Sequence, residues 1–342
     1  MSVLEKSNNI PKQSDNAFPP LCLREIRSFY VGGAVRTLQG LPLEQHRFAQ
    51  NGPVRRVDPN GDTVSGQMYV QAYLQAYPIR RLPLLLWHGG GMTGANWETT
   101  PDGRPGWLMF FLHAGFDVYV CDAVERGRSS WSRWPEIYSS APLHRTLDEG
   151  WEMFRIGPEQ GYATRAQDRR AYVGQQFPVD AFDAFAAQWV PRWAGHEALT
   201  LAAYEALLLQ VGPCIVLGHS QGGGFALEAA RRQPASVAAV VVIEPSGAPQ
   251  SELGDNLARL APHLCVWGDH FEDSAIWQRY RSNVNAYAQM LQSSGVKVEM
   301  CDLPSEAVHG NSHFPMMDMN SDVVAARVLR WLDGIVPSSP AE

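Results

Sequence analysis

Apolar residues along the chain fall into short continuous runs separated by longer helical stretches. The runs lie at residues 84–87, 117–121, 214–217, 237–243, 264–267 and 296–301. A run that is apolar throughout predicts a strand buried on both faces, as in a parallel sheet covered by helices. Lys297 and Glu299 interrupt the last run, so that strand is expected nearer an edge. The pattern predicts an α/β fold with a mostly parallel central sheet flanked by helices.

Two further strands are expected before these runs. Residues 24–31 read as an opening strand that stops at Gly32-Gly33, and residues 67–74 alternate between apolar and polar side chains. Alternation is typical of a strand with one exposed face. We expect the two strands to form the antiparallel edge of the sheet.

Residues 218–222 read Gly-His-Ser-Gln-Gly and stand between the run at 214–217 and a helix predicted at about 225–232. A Gly-X-Ser-X-Gly turn between a strand and a helix is typical of a nucleophile elbow. The sharp turn would present Ser220, and Gly218 and Gly222 are expected where a Cβ would collide with backbone. The start of the helix would supply N–H groups to a developing oxyanion.

A second glycine-rich loop, His-Gly-Gly-Gly at residues 88–91, follows the run at 84–87. Such a loop is the known companion of the serine elbow, because glycines let N–H groups approach a substrate oxygen closely. We assign the oxyanion donors to the backbone N–H groups of Gly90 and Gln221. The loop lacks the Lys-Ser/Thr pair of a phosphate-binding loop, and no residues cluster at metal-ligand spacing, so we expect neither cofactor nor metal.

A serine nucleophile needs a base and a group that orients the base. His309 and His313 both follow the last strand, and we favour His313 because it comes just before the last helix, predicted at 322–332. The acid has two candidates, Glu244 and Asp269, each at the carboxyl end of a strand. The residues alone leave these two open.

The stretch between the run at 117–121 and the elbow strand is longer than one crossover helix requires, and it is rich in Trp and Phe. We predict that residues 129–195, here called the cap segment, form an inserted helical cap over the site. Most of its aromatic side chains are expected to be its own core. The α/β core would then comprise residues 21–128 and 196–336, and residues 1–20 a flexible tail.

The 342 residues carry a net charge of −7 without a basic block, which argues against nucleic acid or an anionic membrane surface as a partner. We expect a small uncharged or apolar molecule instead. No apolar run suits a signal peptide or a membrane span, so a cytoplasmic location is expected. The aromatic content of the cap segment makes a homodimer plausible.

Five cysteines are present. Four of them lie in or beside predicted strands and are expected to be buried thiols: Cys121, Cys214, Cys265 and Cys301. A disulfide between Cys265 and Cys301 stays open, because the strands that carry them should be neighbours.

The motifs together resemble those of the α/β-hydrolase superfamily. More narrowly, the chain resembles a small group of bacterial carboxylesterases, in stretches such as Phe-Arg-Ile-Gly-Pro at 154–158, Glu244-Pro245 and His-Gly-Asn-Ser-His at 309–313. In that group the acid is a glutamate after the sixth strand, so the resemblance implies a triad of Ser220, His313 and Glu244. Those enzymes are exported and have cysteines where this chain has Gly90 and Gly91.

The resemblance implies a serine esterase that cleaves a small or medium apolar carboxylic ester through an acyl-enzyme. The same triad could instead act on a lactone, a thioester or a C–C bond, or serve a biosynthetic cyclase or lyase. A non-catalytic receptor that kept the pocket is a remote alternative. Epoxide hydrolases and dehalogenases need a carboxylate at the elbow, where this chain has Ser220.

Overall fold

The centre of the molecule is a large twisted sheet in the computed structural model, which describes residues 19–250 and 260–336. The strands are β1 (Leu23–Leu38), β2 (Glu44–His46), β3 (Arg55–Val57), β4 (Gly61–Gln75), β5 (Leu84–Trp87), β6 (Val118–Asp122), β7 (Cys214–His219), β8 (Val237–Ile243), β9 (His263–Trp267) and β10 (Val298–Asp302). Eight of them join in the order β1-β4-β6-β5-β7-β8-β9-β10, while β2 and β3 pair separately. The tail predicted at 1–20 lies outside the described residues except for 19 and 20.

The sheet is parallel from β6 to β10 and antiparallel where β4 meets β1 and β6. The predicted α/β class, the antiparallel edge and the edge position of the last strand are confirmed. The bounds predicted for β5 and β8 match the structure. The opening strand differs, since it does not stop at Gly32 and Gly33. Both glycines adopt positive φ within the strand, and pairing with β4 continues to Leu38.

Helices cover both faces of the sheet. They are α1 (Ala95–Glu98), α2 (Trp107–His113), α3 (Leu147–Met153), α4 (Phe182–Ala186), α5 (Glu197–Val211), α6 (Gln221–Arg232), α7 (Ala275–Ser293) and α8 (Ser321–Ile335). Alternate residues of each central strand point to opposite faces, so Leu84 and Leu86 pack with α2 and α8, whereas Leu85 packs with α5, α6 and α7. Two-sided burial explains why the central strands are apolar throughout.

The cap segment contains α3, α4 and short 3₁₀ turns. Five of its buried aromatic residues pack on one another and extend the core on the α2 and α8 side of the sheet: Trp151, Phe154, Phe177, Phe182 and Phe185. Trp131 and Trp134 are about half exposed. Most of the segment's aromatic residues are therefore core, as expected, and Phe154 is the one of these five that also faces the cleft described below.

Cys121, Cys214, Cys265 and Cys301 are buried free thiols, as predicted, and burial raises the pKa of each. The possible disulfide between Cys265 and Cys301 is not formed. The two strands are neighbours, but Cys265 pairs in register with Met300, one residue away from Cys301. The two side chains consequently lie on opposite faces of the sheet, each in a different core cluster.

Within residues 19–250 and 260–336, no helix is both long and apolar enough to cross a bilayer. In the same ranges, no group of three or more His, Cys, Asp or Glu side chains is arranged to hold a metal ion.

Candidate active site

Ser220 sits at the turn between β7 and α6, with φ 53° and ψ −119°. Its N–H donates to the Ile243 carbonyl at 3.0 Å, and its carbonyl accepts from Gly224 and Ser246. The helix begins at Gln221, four residues earlier than predicted, because the glycines allow the first turn to pack against neighbouring backbone. A Cβ on Gly218 would lie 2.4 Å from the Gly222 carbonyl oxygen, and one on Gly222 would lie 2.4 Å from the His88 carbonyl oxygen.

The loop after β5 lies directly against this turn. A Cβ on Gly89 would lie 3.0 Å from the Cβ of Ser220, and one on Gly90 would lie 3.0 Å from Oε1 of Gln221. Among the described residues, no hydrogen bond uses the backbone N–H of Gly90 or Gln221. Both predicted oxyanion donors are thus adjacent to Ser220 and uncommitted.

His88 holds this loop in place. Its Nδ1 donates to the Gly89 carbonyl at 2.8 Å, and its Nε2 accepts from the Ala123 N–H at 2.9 Å. Burial lowers the pKa of His88 to about 4, so the imidazole is neutral and can serve as donor and acceptor together. His88 therefore ties the loop after β5 to the chain that leaves β6.

His313 is buried and lines the same cleft as Ser220. Its Nδ1 lies 3.2 Å from Oε2 of Glu244. The ring centroid of Trp277 is 3.9 Å from that of His313, and the Phe154 ring stacks at 5.8 Å. Burial, followed by the positive charge of Arg155, lowers the pKa of His313 well below its ordinary value. The imidazole is neutral near pH 7, which a general base requires.

Glu244 follows β8 with φ 51° and is fully buried. Its Oε1 accepts from the Gly268 N–H and from Nη2 of Arg155 at 2.8 Å, while Oε2 faces His313. Arg155 is also fully buried, donates through Nε to the Asp269 carbonyl and lies 4.1 Å above the Phe271 ring. The carboxylate thus has a buried cationic partner on one oxygen and the imidazole on the other.

The alternative candidates from the sequence are placed elsewhere. Asp269 accepts from the backbone N–H groups of His270 and Gly310, both at 2.9 Å, and does not contact His313. Hydrogen bonds from Gly310 and His270 lower the pKa of Asp269 despite its partial burial. His309 is 67% exposed, with Nδ1 3.9 Å from the Asp269 carboxylate. The structure brings together Ser220, His313 and Glu244, and leaves these two outside the cleft.

Backbone contacts hold the loop that carries His313. The His313 carbonyl accepts from Nε2 of His219 at 2.8 Å, and the His313 N–H donates to the Phe154 carbonyl at 2.9 Å. The buried Asp318 carboxylate accepts from the N–H and Oγ of Ser312. His219, the residue before Ser220, therefore helps to position the backbone of His313.

A cleft of about 210 Å³ opens above Ser220. Gly90, Gln221 and Phe314 line it together with the rings of Phe154 and Trp277. Charged side chains from the cap segment also line it: Arg145, Glu149 and Arg192. The arrangement can present a serine hydroxyl to a carbonyl group, with a neutral imidazole and two free N–H donors nearby.

No role was predicted from the sequence for Arg155, Asp318 or the three charged cleft residues. Arg155 lies in one of the stretches that carried the resemblance, which was the available signal. The sequence holds no signal for Arg145 and Arg192, because an arginine that lines a cleft cannot be told from an exposed one by its neighbours in the sequence.

Comparisons with known proteins identify the fold and its family. A family model for the alpha/beta hydrolase fold matches residues 83–264. A solved structure of a bacterial esterase is 31% identical, covers 96% of this chain and all of that one, and superposes with a TM-score of 0.81. A probable secreted lipase, phiG, of a fungal species is 30% identical over 315 residues, 78% of this chain and 85% of that protein.

The structural match confirms the resemblance to bacterial esterases. The cytoplasmic location expected from the sequence stays a prediction, since the fungal relative is named as secreted. With its family match, its sheet order and its elbow, the chain belongs to the α/β-hydrolase family.

Proposed function

We propose that the protein is a serine esterase that hydrolyses a small or medium carboxylic ester through an acyl-enzyme. The observation that carries the proposal is the buried contact of 3.2 Å between Glu244 and Nδ1 of His313, in a cleft that His313 shares with Ser220. The names of the bacterial esterase and the fungal lipase support the same reaction class.

In this mechanism the Nδ1 proton of His313 is held by Glu244, so Nε2 carries the lone pair. Nε2 accepts the proton of the Ser220 hydroxyl as Oγ attacks the ester carbonyl. The N–H groups of Gly90 and Gln221 stabilise the oxyanion. His313 then returns the proton to the leaving alcohol, and water cleaves the Ser220 ester by the same sequence to release the acid.

Intact-mass labelling with a fluorophosphonate tests the proposal. The wild type should gain one adduct, and the Ser220→Ala variant should gain none. The same variant should also lose turnover of p-nitrophenyl esters. Ser246→Ala is the matched control, because Ser246 lines the same cleft. It should still label.

An unlabelled wild type, or an adduct that survives in Ser220→Ala, would refute the assignment of the nucleophile. A parallel panel of esters, lactones and thioesters distinguishes the esterase from other uses of the same triad.

A further inference from the structure

The charged side chains that line the cleft comprise two arginines and one glutamate, so their charges do not cancel. Nη1 of Arg145 lies 2.7 Å and Nη2 of Arg192 lies 3.0 Å from the same atom, Oε1 of Glu149. Two guanidiniums thus share one carboxylate oxygen, which leaves one positive charge in excess. Each guanidinium has five N–H donors, so most of their hydrogen-bonding capacity stays unused by Glu149.

Backbone hydrogen bonds hold Arg192 and the chain just before Arg145. Leu143 and Arg192 exchange backbone hydrogen bonds in an antiparallel bridge, two residues before Arg145. The Val190 N–H donates to the Gly91 carbonyl at 2.9 Å, which ties the chain beside Arg192 to the oxyanion loop. Arg145 also stacks at 4.7 Å on the Phe154 ring. The charges therefore belong to a fixed wall of the cleft.

This wall lies close to the reacting groups. A Cβ on Gly91 would lie 3.7 Å from Cδ of Arg192, and both arginines line the cleft with Ser220. Their side chains are only 10% and 26% exposed, for Arg145 and Arg192 respectively. Burial lowers the pKa of Arg192. A carboxylate ligand would restore the balance with paired N–H···O bonds.

We propose that the substrate is a short ester that carries a carboxylate, such as the half-ester of a small dicarboxylic acid, and that Arg145 and Arg192 bind this carboxylate while Ser220 attacks the ester. The inference rests on the proposed esterase function and replaces the apolar substrate expected from the sequence. Glu149 competes with the substrate carboxylate, because its Oε1 binds both guanidiniums.

Two chromogenic esters with the same leaving group test it: mono-p-nitrophenyl glutarate, which carries a terminal carboxylate, and neutral p-nitrophenyl pentanoate. The wild type should show the higher kcat/KM for the glutarate. In Arg192→Gln and Arg145→Gln, the ratio of the two kcat/KM values should fall about tenfold or more, mainly through KM, because a hydrogen bond to a charged group is lost. Added salt should lower the same ratio in the wild type.

Glu149→Gln should change the ratio of the two kcat/KM values in the opposite direction. Removing its negative charge should raise the glutarate preference, a gain that misfolding cannot mimic. Arg165→Gln is the matched control: Arg165 belongs to the same segment, is 72% exposed and does not line the cleft. It should leave the ratio unchanged.

The inference is overturned if the wild type labels at Ser220 but prefers the pentanoate or cleaves neither ester. It is also overturned if Arg192→Gln has the same ratio of kcat/KM values as the wild type. These results leave the assignment of the nucleophile intact. Loss of labelling at Ser220 overturns both proposals.

Discussion

Replacing Arg155 with methionine should destabilise the protein far more than the loss of an ordinary arginine. The side chain is fully buried. Its removal leaves the Glu244 carboxylate without this cationic partner and takes away the hydrogen bond from Nε to the Asp269 carbonyl. Breaking a buried ion pair by removing one partner costs about 3–5 kcal/mol. For a chain of 342 residues, that cost corresponds to a Tm lower by roughly 4–7 °C.

Urea unfolding followed by tryptophan fluorescence measures the free energy directly. Arg165→Met is the control, since its ion pair with Asp168 is exposed and should contribute only about 0–1 kcal/mol. Adding Glu244→Gln to Arg155→Met should recover part of the loss, because the unpaired charge is then gone. A loss below about 1 kcal/mol in Arg155→Met, or strict additivity in the double variant, would refute the assignment of a buried pair.

Three more outcomes are expected. Glu244→Gln should lower kcat by about 10³-fold or more, whereas Asp269→Asn should change it little; the reverse result would reassign the acid. The neutral form of His313 is the proposed base and its pKa is lowered, so kcat/KM for a neutral ester should stay constant as the pH is lowered to 6.5 and fall only at a still lower pH; a midpoint at or above 6.5 would contradict this. Gly222→Ala should lower stability by about 1–3 kcal/mol or prevent folding, whereas Gly224→Ala, whose Cβ would lie 3.4 Å from its nearest neighbour, should be neutral or stabilising in the same assay.

Local patterns predicted the sheet and the elbow well. Strands β5 and β8 are apolar throughout because helices cover both faces of the sheet. Burial on both faces therefore produces a continuous apolar run that can be recognised in the sequence. The extension of β1 past Gly32 and Gly33 could not be read, because glycines with positive φ look like the end of a strand until the partner strand is known.

The positions of the two candidate acids along the chain could not decide between them. Glu244 and Asp269 follow adjacent strands, and only side-chain direction separates them: one carboxylate faces His313, and the other binds the backbone of its own loop. Arg155 is out of reach for a different reason, since 89 positions of sequence separate it from its partner Glu244. The boundaries of the cap segment and the homodimer stay predictions.

The contacts between the cap segment and His313 limit how such enzymes can diversify. Phe154 and Arg155 bind the backbone of His313 and the carboxylate of Glu244. This part of the segment cannot swing away like a hinged lid without taking the acid's counter-ion with it. Exchange of the whole segment between relatives would likewise remove residues that hold the proposed catalytic groups. We therefore expect variation in specificity to arise at individual positions that line the cleft, while the segment is inherited as one unit with the core.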